Sequence, residues 1–163
     1  MNNEKIKMKV IVTHAKCLNC NTKRILYFTS NYTYGERIVS TQSGRYCAYA
    51  DLLTEGIIDE LEKFCKAIYA EKDITISHNK LARIITNIYG ITCDKIDGEQ
   101  IDTISNTRCP KCLGKKMIQD EKYGEQLKEI SVSMVTHNAW EELEFVTKKV
   151  KVKEEMFRQG YLE

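Results

Sequence analysis

Two Cys-x-x-Cys pairs stand far apart in the chain, Cys17-Leu18-Asn19-Cys20 and Cys109-Pro110-Lys111-Cys112. Thiolates take Zn²⁺ at about 2.3 Å in tetrahedral geometry, and two cysteines separated by two residues can both turn inward around one ion. Each pair is half of such a site. Together they predict a closed four-thiolate centre for structural zinc, with Cys17, Cys20, Cys109 and Cys112 as the ligands. Four sulfurs leave no open position for water or substrate, so the expected task is holding the chain together rather than catalysis.

Other chemistries fit these residues less well. A redox Cys-x-x-Cys sits beside a strand-to-helix junction, whereas Cys17 leads into polar Asn19, Asn21 and Thr22 and then a strand-like run. A zinc deaminase needs His-x-Glu or Cys-x-Glu upstream of Pro-Cys-x-x-Cys. Here Pro110 follows the first cysteine of its pair, and neither His14-Ala15-Lys16 nor Cys93-Asp94-Lys95 supplies the glutamate. His14 could replace a cysteine as ligand, although its expected role is to support the first turn. His78 and His137 fall at helix starts, and no carboxylate or nucleophile can be placed beside either. Glycines form no phosphate-cradling loop. No catalytic residues are assigned, and a non-enzymatic protein is expected.

With its Cys-Pro-x-Cys form followed by Leu113-Gly114-Lys115, the second pair joins the first in a pattern that resembles the knuckles of zinc-ribbon proteins. The resemblance covers residues 14–23 and 106–118. Its spacing departs from the usual one, because 88 residues separate Cys20 from Cys109, against roughly 15–20 in the common signature. It implies a structural metal with no activity attached, and a sizeable insertion between the knuckles.

Seven cysteines is an odd number, and the remaining Cys47, Cys65 and Cys93 show no disulfide framework. A reduced, cytoplasmic compartment is expected. The polar start, Met1 to Lys5, lacks the apolar core of a signal peptide, and no run approaches the ~20 apolar residues of a membrane span. Nineteen of the 25 basic residues are lysine, and Ile, Asn and Tyr are frequent. That bias matches AT-rich coding and points to a low-GC bacterium or one of its mobile elements, phage included. A formal net charge of +2 is too small by itself to argue for a polyanionic partner.

The elements that must position the cysteines can be read from periodicity. Ile6–Thr13 and Arg24–Tyr34 read as strands, with Tyr34-Gly35-Glu36 as a turn and Arg37–Thr41 as the hairpin partner of the second strand. Ser43-Gly44-Arg45 is a further turn. Leu53, Ile57, Leu61, Phe64, Cys65 and Ile68 recur at spacings of three and four, which predicts a helix capped by Asp51, with Thr54 and Glu55 in its first turn, running to about Glu71. A second helix, capped by Ser77, carries Leu81, Ile84, Ile85 and Ile88 and stops at Tyr89-Gly90 with glycine as a left-handed cap. Asp94 to Asn106 is a polar return to Cys109. Beyond it come a short strand at Met117–Gln119, a turn at Glu121–Gly124 and an alternating strand at Lys128–Val135. A final helix follows Asn138, with Glu141 completing a capping box and Trp140, Leu143, Val146, Val150 and Phe157 as its inner face.

These readings predict an α+β fold in one domain, 1–163: a small antiparallel sheet with the split zinc site, a helical insertion at 50–90 between the knuckles, and a C-terminal strand and helix at 126–160. Two surfaces suggest partners. Tyr27 to Tyr49 holds five of the nine tyrosines among Ser, Thr, Asn and Arg, the composition of recognition surfaces. Tyr32, Tyr34, Arg37, Arg45 and Tyr46 are its candidate contacts with another protein. Lys111, Lys115 and Lys116 crowd the second knuckle without acidic neighbours and offer an alternative, nucleic-acid-binding role.

Overall fold

A computed structural model describes residues 5–31, 34–53, 56–104 and 107–163. In chain order the elements are β1 (Lys5–Cys17), β2 (Lys23–Thr29), β3 (Glu36–Thr41), β4 (Cys47–Asp51), α1 (Ile57–Ala70) and α2 (His78–Ile88). A 3-10 turn at Tyr89–Thr92 precedes β5 (Ile101–Asp102), β6 (Met117–Gln119), β7 (Gln126–Ser133), α3 (Asn138–Glu141) and α4 (Phe145–Arg158). The fold is α+β, with two small antiparallel sheets and helices packed beside the second.

β1 runs through the middle of the first sheet. On one side it pairs with β2, with Val10 opposite Thr29 and Lys16 opposite Lys23. On the other side β6 and β7 share a single edge: Cys17 and Ala15 face Met117 and Gln119, and Val12 to Lys5 face Gln126 to Ser133. They act as one strand interrupted by residues 120–125. That loop turns out opposite Thr13 and His14, tied by the Asp120 N–H to the His14 carbonyl at 2.7 Å and by stacking of Tyr123 on the His14 ring at 4.4 Å. Side chains alternate between faces along a strand, and on β1 the buried set changes parity, from Val10 and Val12 to Thr13, Ala15 and Cys17. The core switches faces midway, which is why this strand alternates poorly in sequence.

The second sheet has the order β4-β3-β5. Its hairpin turn presses Gly44, at φ 73°, onto β2, where a Cβ would come within 2.6 Å of the Ile25 carbonyl oxygen. The sheets also meet where the Val135 N–H donates to the Tyr49 carbonyl at 2.8 Å. The expected β2–β3 hairpin is therefore corrected: β3 pairs with β4 and β5, in a different sheet from β2. β5 hides within the polar return, because two residues are too few to show a period.

α1 buries Leu61, Phe64, Cys65, Ile68 and Tyr69 against α2, which buries Leu81, Ile84, Ile85 and Ile88. Each such side chain contributes about 1.5–3 kcal/mol relative to exposure. α1 starts at Ile57, capped by Gly56, and not at Asp51, which ends β4 opposite Glu36. Leu53, expected inside, is exposed, and Thr54 and Glu55 lie outside the described residues. Ser77 does cap α2, accepting from the Lys80 N–H at 3.3 Å. Gly90 is not a left-handed cap, since its φ is not positive and the chain continues as the 3-10 turn. It is needed for close approach instead: a Cβ there would lie 2.4 Å from the Ile101 carbonyl oxygen.

The C-terminal helix is broken into α3 and α4, and the break resets its phase. Trp140 is buried and Leu143 half-buried, but Val146, Val150 and Phe157 are exposed, whereas Val152 and Met156 face the core. The expected capping box is corrected as well, since Asn138 is the first residue of α3 and not its cap. Asp94 reaches across to accept from the Ala139 N–H at 2.9 Å, the Asn138 N–H at 3.0 Å and the Asn138 side chain at 2.9 Å. Glu60 on α1 gathers both helices, accepting from Trp140 Nε1 at 2.7 Å and Lys148 Nζ at 2.9 Å. Among the described residues no helix is long and apolar enough to cross a membrane.

Candidate metal centre

The end of β1 and the start of β6 bring the two Cys-x-x-Cys turns together. Cys17 closes β1, and the Leu18 N–H donates to the Lys116 carbonyl at 2.9 Å, tying one turn to the exit of the other. Within each turn the backbone repeats one pattern. Cys17 N–H donates to Thr22 O and Asn21 N–H to Cys17 O, both at 2.9 Å; Cys109 N–H donates to Gly114 O and Leu113 N–H to Cys109 O, again at 2.9 Å. The fourth residue past each first cysteine is left-handed, Asn21 at φ 57° and Leu113 at φ 58°. Leucine seldom adopts that conformation, so the second turn is held there by its surroundings. Arg108 Nη2 donates to the Gln159 carbonyl at 3.0 Å and Gln42 Nε2 to the Pro110 carbonyl at 3.3 Å, fastening the turn to the end of α4 and to the β3–β4 hairpin.

The sulfurs of Cys17, Cys20, Cys109 and Cys112 all lie within 4.8 Å of one another. Cys17 Sγ is 3.7 Å from Cys112 Sγ, and Cys20 Sγ is 3.6 Å from Cys109 Sγ. A tetrahedron with metal–sulfur bonds of about 2.3 Å has edges of about 3.8 Å. The four cysteines are thus positioned to bind one metal ion, each pair contributing one sulfur to each close contact. Cys17 and Cys109 are fully buried, while Cys20 is half-buried and Cys112 exposed.

Hydrogen bonds prepare the thiols for this task. The Thr22 hydroxyl, 3.1 Å from Cys20 Sγ, and then the Thr22 N–H hold the Cys20 thiol down at about 6. The Gly114 N–H favours the Cys112 thiolate in the matching place, but desolvation and the neighbouring sulfurs outweigh it and hold that thiol up at about 11. A metal ion bound here would replace the protons that these sulfurs share. Gly114 also leaves room, since a Cβ there would lie 2.9 Å from Asn19 Nδ2 and 3.3 Å from Cys112 Sγ.

The remaining residues singled out in the sequence fall elsewhere. His14 lies against Tyr123, and the ligand group consists of the four cysteines. Cys65 and Cys93 are buried and Cys47 half-buried, with burial pushing the Cys65 thiol up to about 12. Tyr34 is 78% exposed and Arg37 is exposed, and both line a cleft of about 390 Å³ with Leu53, Ile58, Leu81 and Ile85. Arg45 and Tyr46 are engaged within the chain, Arg45 with Glu99 at 2.6 Å and Tyr46 with Asp97. Tyr32 lies outside the described residues. Lys111, Lys115 and Lys116 are exposed and form no ion pair among the described residues. Asn21 and Leu113 shape the two turns through backbone conformation, which no sequence motif marks. Comparison with protein-family models, with curated proteins and with solved structures gave no match.

Proposed function

We propose that this is a non-enzymatic, structural-zinc protein whose metal clasp holds a protein-recognition surface, acting as a regulator or inhibitor of a larger assembly. The reading rests on the spacing of four sulfurs, 3.6 and 3.7 Å across the two close contacts, which suits tetrahedral zinc and offers no open coordination position. Tetrahedral sulfur also suits iron, so the metal's identity is decided by elemental analysis, with one zinc per chain expected.

For the recognition surface the support is the cleft beside Tyr34 and Arg37, where Tyr34 and the 61% exposed Leu53 present apolar area at the rim. Exposed aromatic and aliphatic side chains around a concave apolar site with one Arg are the make-up of protein-binding hot spots. Arg45 and Tyr46 serve the hairpin, so the contact set narrows to Tyr34, Arg37 and Leu53. Affinity capture from extract, with and without nuclease, tests this. Nuclease-resistant capture of one protein, lost in a Tyr34→Ala, Arg37→Ala, Leu53→Ala variant, is expected; capture unchanged by the variant would overturn it.

The second reading is nucleic-acid binding through Lys111, Lys115 and Lys116, favoured by their exposure beside the metal turn without ion pairs among the described residues. Nuclease-sensitive capture and a salt-dependent shift of labelled RNA or DNA would support it.

A further inference from the structure

Arg24 is the one charged residue fully buried among the described residues, at 4% exposure. It follows the first metal turn on β2, opposite Ala15, which shares the face of β1 that carries Cys17. Its Nη2 donates to the Asp102 carbonyl on β5 at 2.9 Å, joining the first sheet to the second. Its Nε and Nη1 are closed off from solvent and have no hydrogen-bond partner among the described residues. A buried cation with unmet donors costs several kcal/mol unless an anion compensates it. A cleft of about 510 Å³ adjoins Arg24, but nitrogens shielded from water are equally shielded from a ligand in that cleft.

Compensation has two sources within the chain. Burial lowers the Arg24 pKa, while the nearby Asp102 and Cys109 raise it, so Cys109 lies within electrostatic reach of the guanidinium. Asp102, whose Oδ1 accepts from the Ile104 N–H at 2.8 Å, supplies a single negative charge. Four thiolates around a divalent ion carry a net charge of −2, twice that of the single Asp102 carboxylate.

We infer that Arg24 is the buried counter-charge of the metal–thiolate centre, and the positioning residue through which metal loading locks the two sheets together. The inference rests on the zinc reading above. With the metal in place, the guanidinium is balanced and its bond to Asp102 O holds β2 against β5. When the metal leaves, the guanidinium keeps only the Asp102 charge to balance it at the junction, and the sheets part there first.

A double-mutant cycle on zinc affinity, read by competition with a chromophoric chelator, separates charge from packing. R24M removes the charge and keeps most of the volume, R24Q keeps a donor for Asp102 O, and R24K restores the charge. C112H, at the exposed ligand, keeps four ligands and lowers the site's negative charge by one unit. Expected is a loss of about tenfold or more in R24M and R24Q, most of it regained in R24K. In the C112H background the R24M loss should shrink by about threefold or more, because the charge to be balanced is smaller. Equal affinity in R24M and wild type, or the same R24M loss with and without C112H, would overturn the inference while leaving the zinc reading intact. Wild-type protein that takes up no zinc would instead sink the reading of the centre itself. If R24M does not fold, the R24Q and R24K pair in both backgrounds carries the same test.

Discussion

The thiols of this centre are not equivalent, and their environments say which of them matter most. Cys17 and Cys109 are buried and anchor their turns through backbone bonds, whereas Cys112 is exposed. Serine at Cys109 should abolish stoichiometric metal and unfold the protein, while Cys112→Ser should leave a weakened three-sulfur site; metal analysis and thermal melting of both variants check this. Gly114→Ala is expected to cost about 1 kcal/mol of metal-linked stability, since its Cβ must push aside the Asn19 amide and the Cys112 sulfur. An unchanged melting temperature in that variant would show that the turn has slack. At this scale the sequence was readable for one reason: four ligands in two fixed spacings are a chemical pattern. Arg24 and the left-handed Leu113 were not readable, because burial and backbone angle leave no mark on residue type.

Helices and strands show how far periodicity carries. α2, with its Ser77 cap and its 81/84/85/88 stripe, was legible almost to the residue, as was the body of α1. The errors cluster where one element's pattern runs into the next. Residues 51–53 continue the helical spacing of α1, yet Tyr49 to Asp51 are held in β4 by pairing with Ile38 to Glu36. The α3–α4 break shifts the inner face from Val146, Val150 and Phe157 to Val152 and Met156. Met156→Ala should therefore cost about 2–5 kcal/mol, whereas Phe157→Ala should change stability by less than about 0.5 kcal/mol, as read by chemical denaturation. Asp94 provides a second test. Partial burial pushes its carboxyl up, but donors from Ala139, Thr136 and Asn138 outweigh this and hold it below the usual carboxylate range. A depressed folded-state pKa contributes stability that is present above the unfolded value of about 3.9 and lost as pH falls through the folded one. D94A should lower stability near neutral pH by about 1 kcal/mol, the typical worth of a helix cap. The gap in melting temperature between it and wild type should close as pH falls below about 4.

Across the whole molecule, the two metal turns close a loop of 88 intervening residues that contains β2 to β5, α1 and α2. The two-sheet arrangement was not legible, because strand partners are chosen by long-range packing; that the chain must return to its start was legible from the cysteines alone. Structural zinc contributes about 10–16 kcal/mol in small peptides, at or above the whole stability of a typical domain, about 5–15 kcal/mol. Chelation should accordingly unfold the protein, visible as loss of near-ultraviolet circular dichroism around the buried Trp140. The most direct test is the metal content of the purified, untagged protein, measured by elemental mass spectrometry beside its native mass. One zinc per chain, retained through gel filtration and absent from a variant with serine at all four cysteines, is the expected result. Protein that is folded and free of stoichiometric metal, with the exposed Cys112 thiol open to titration, would contradict it.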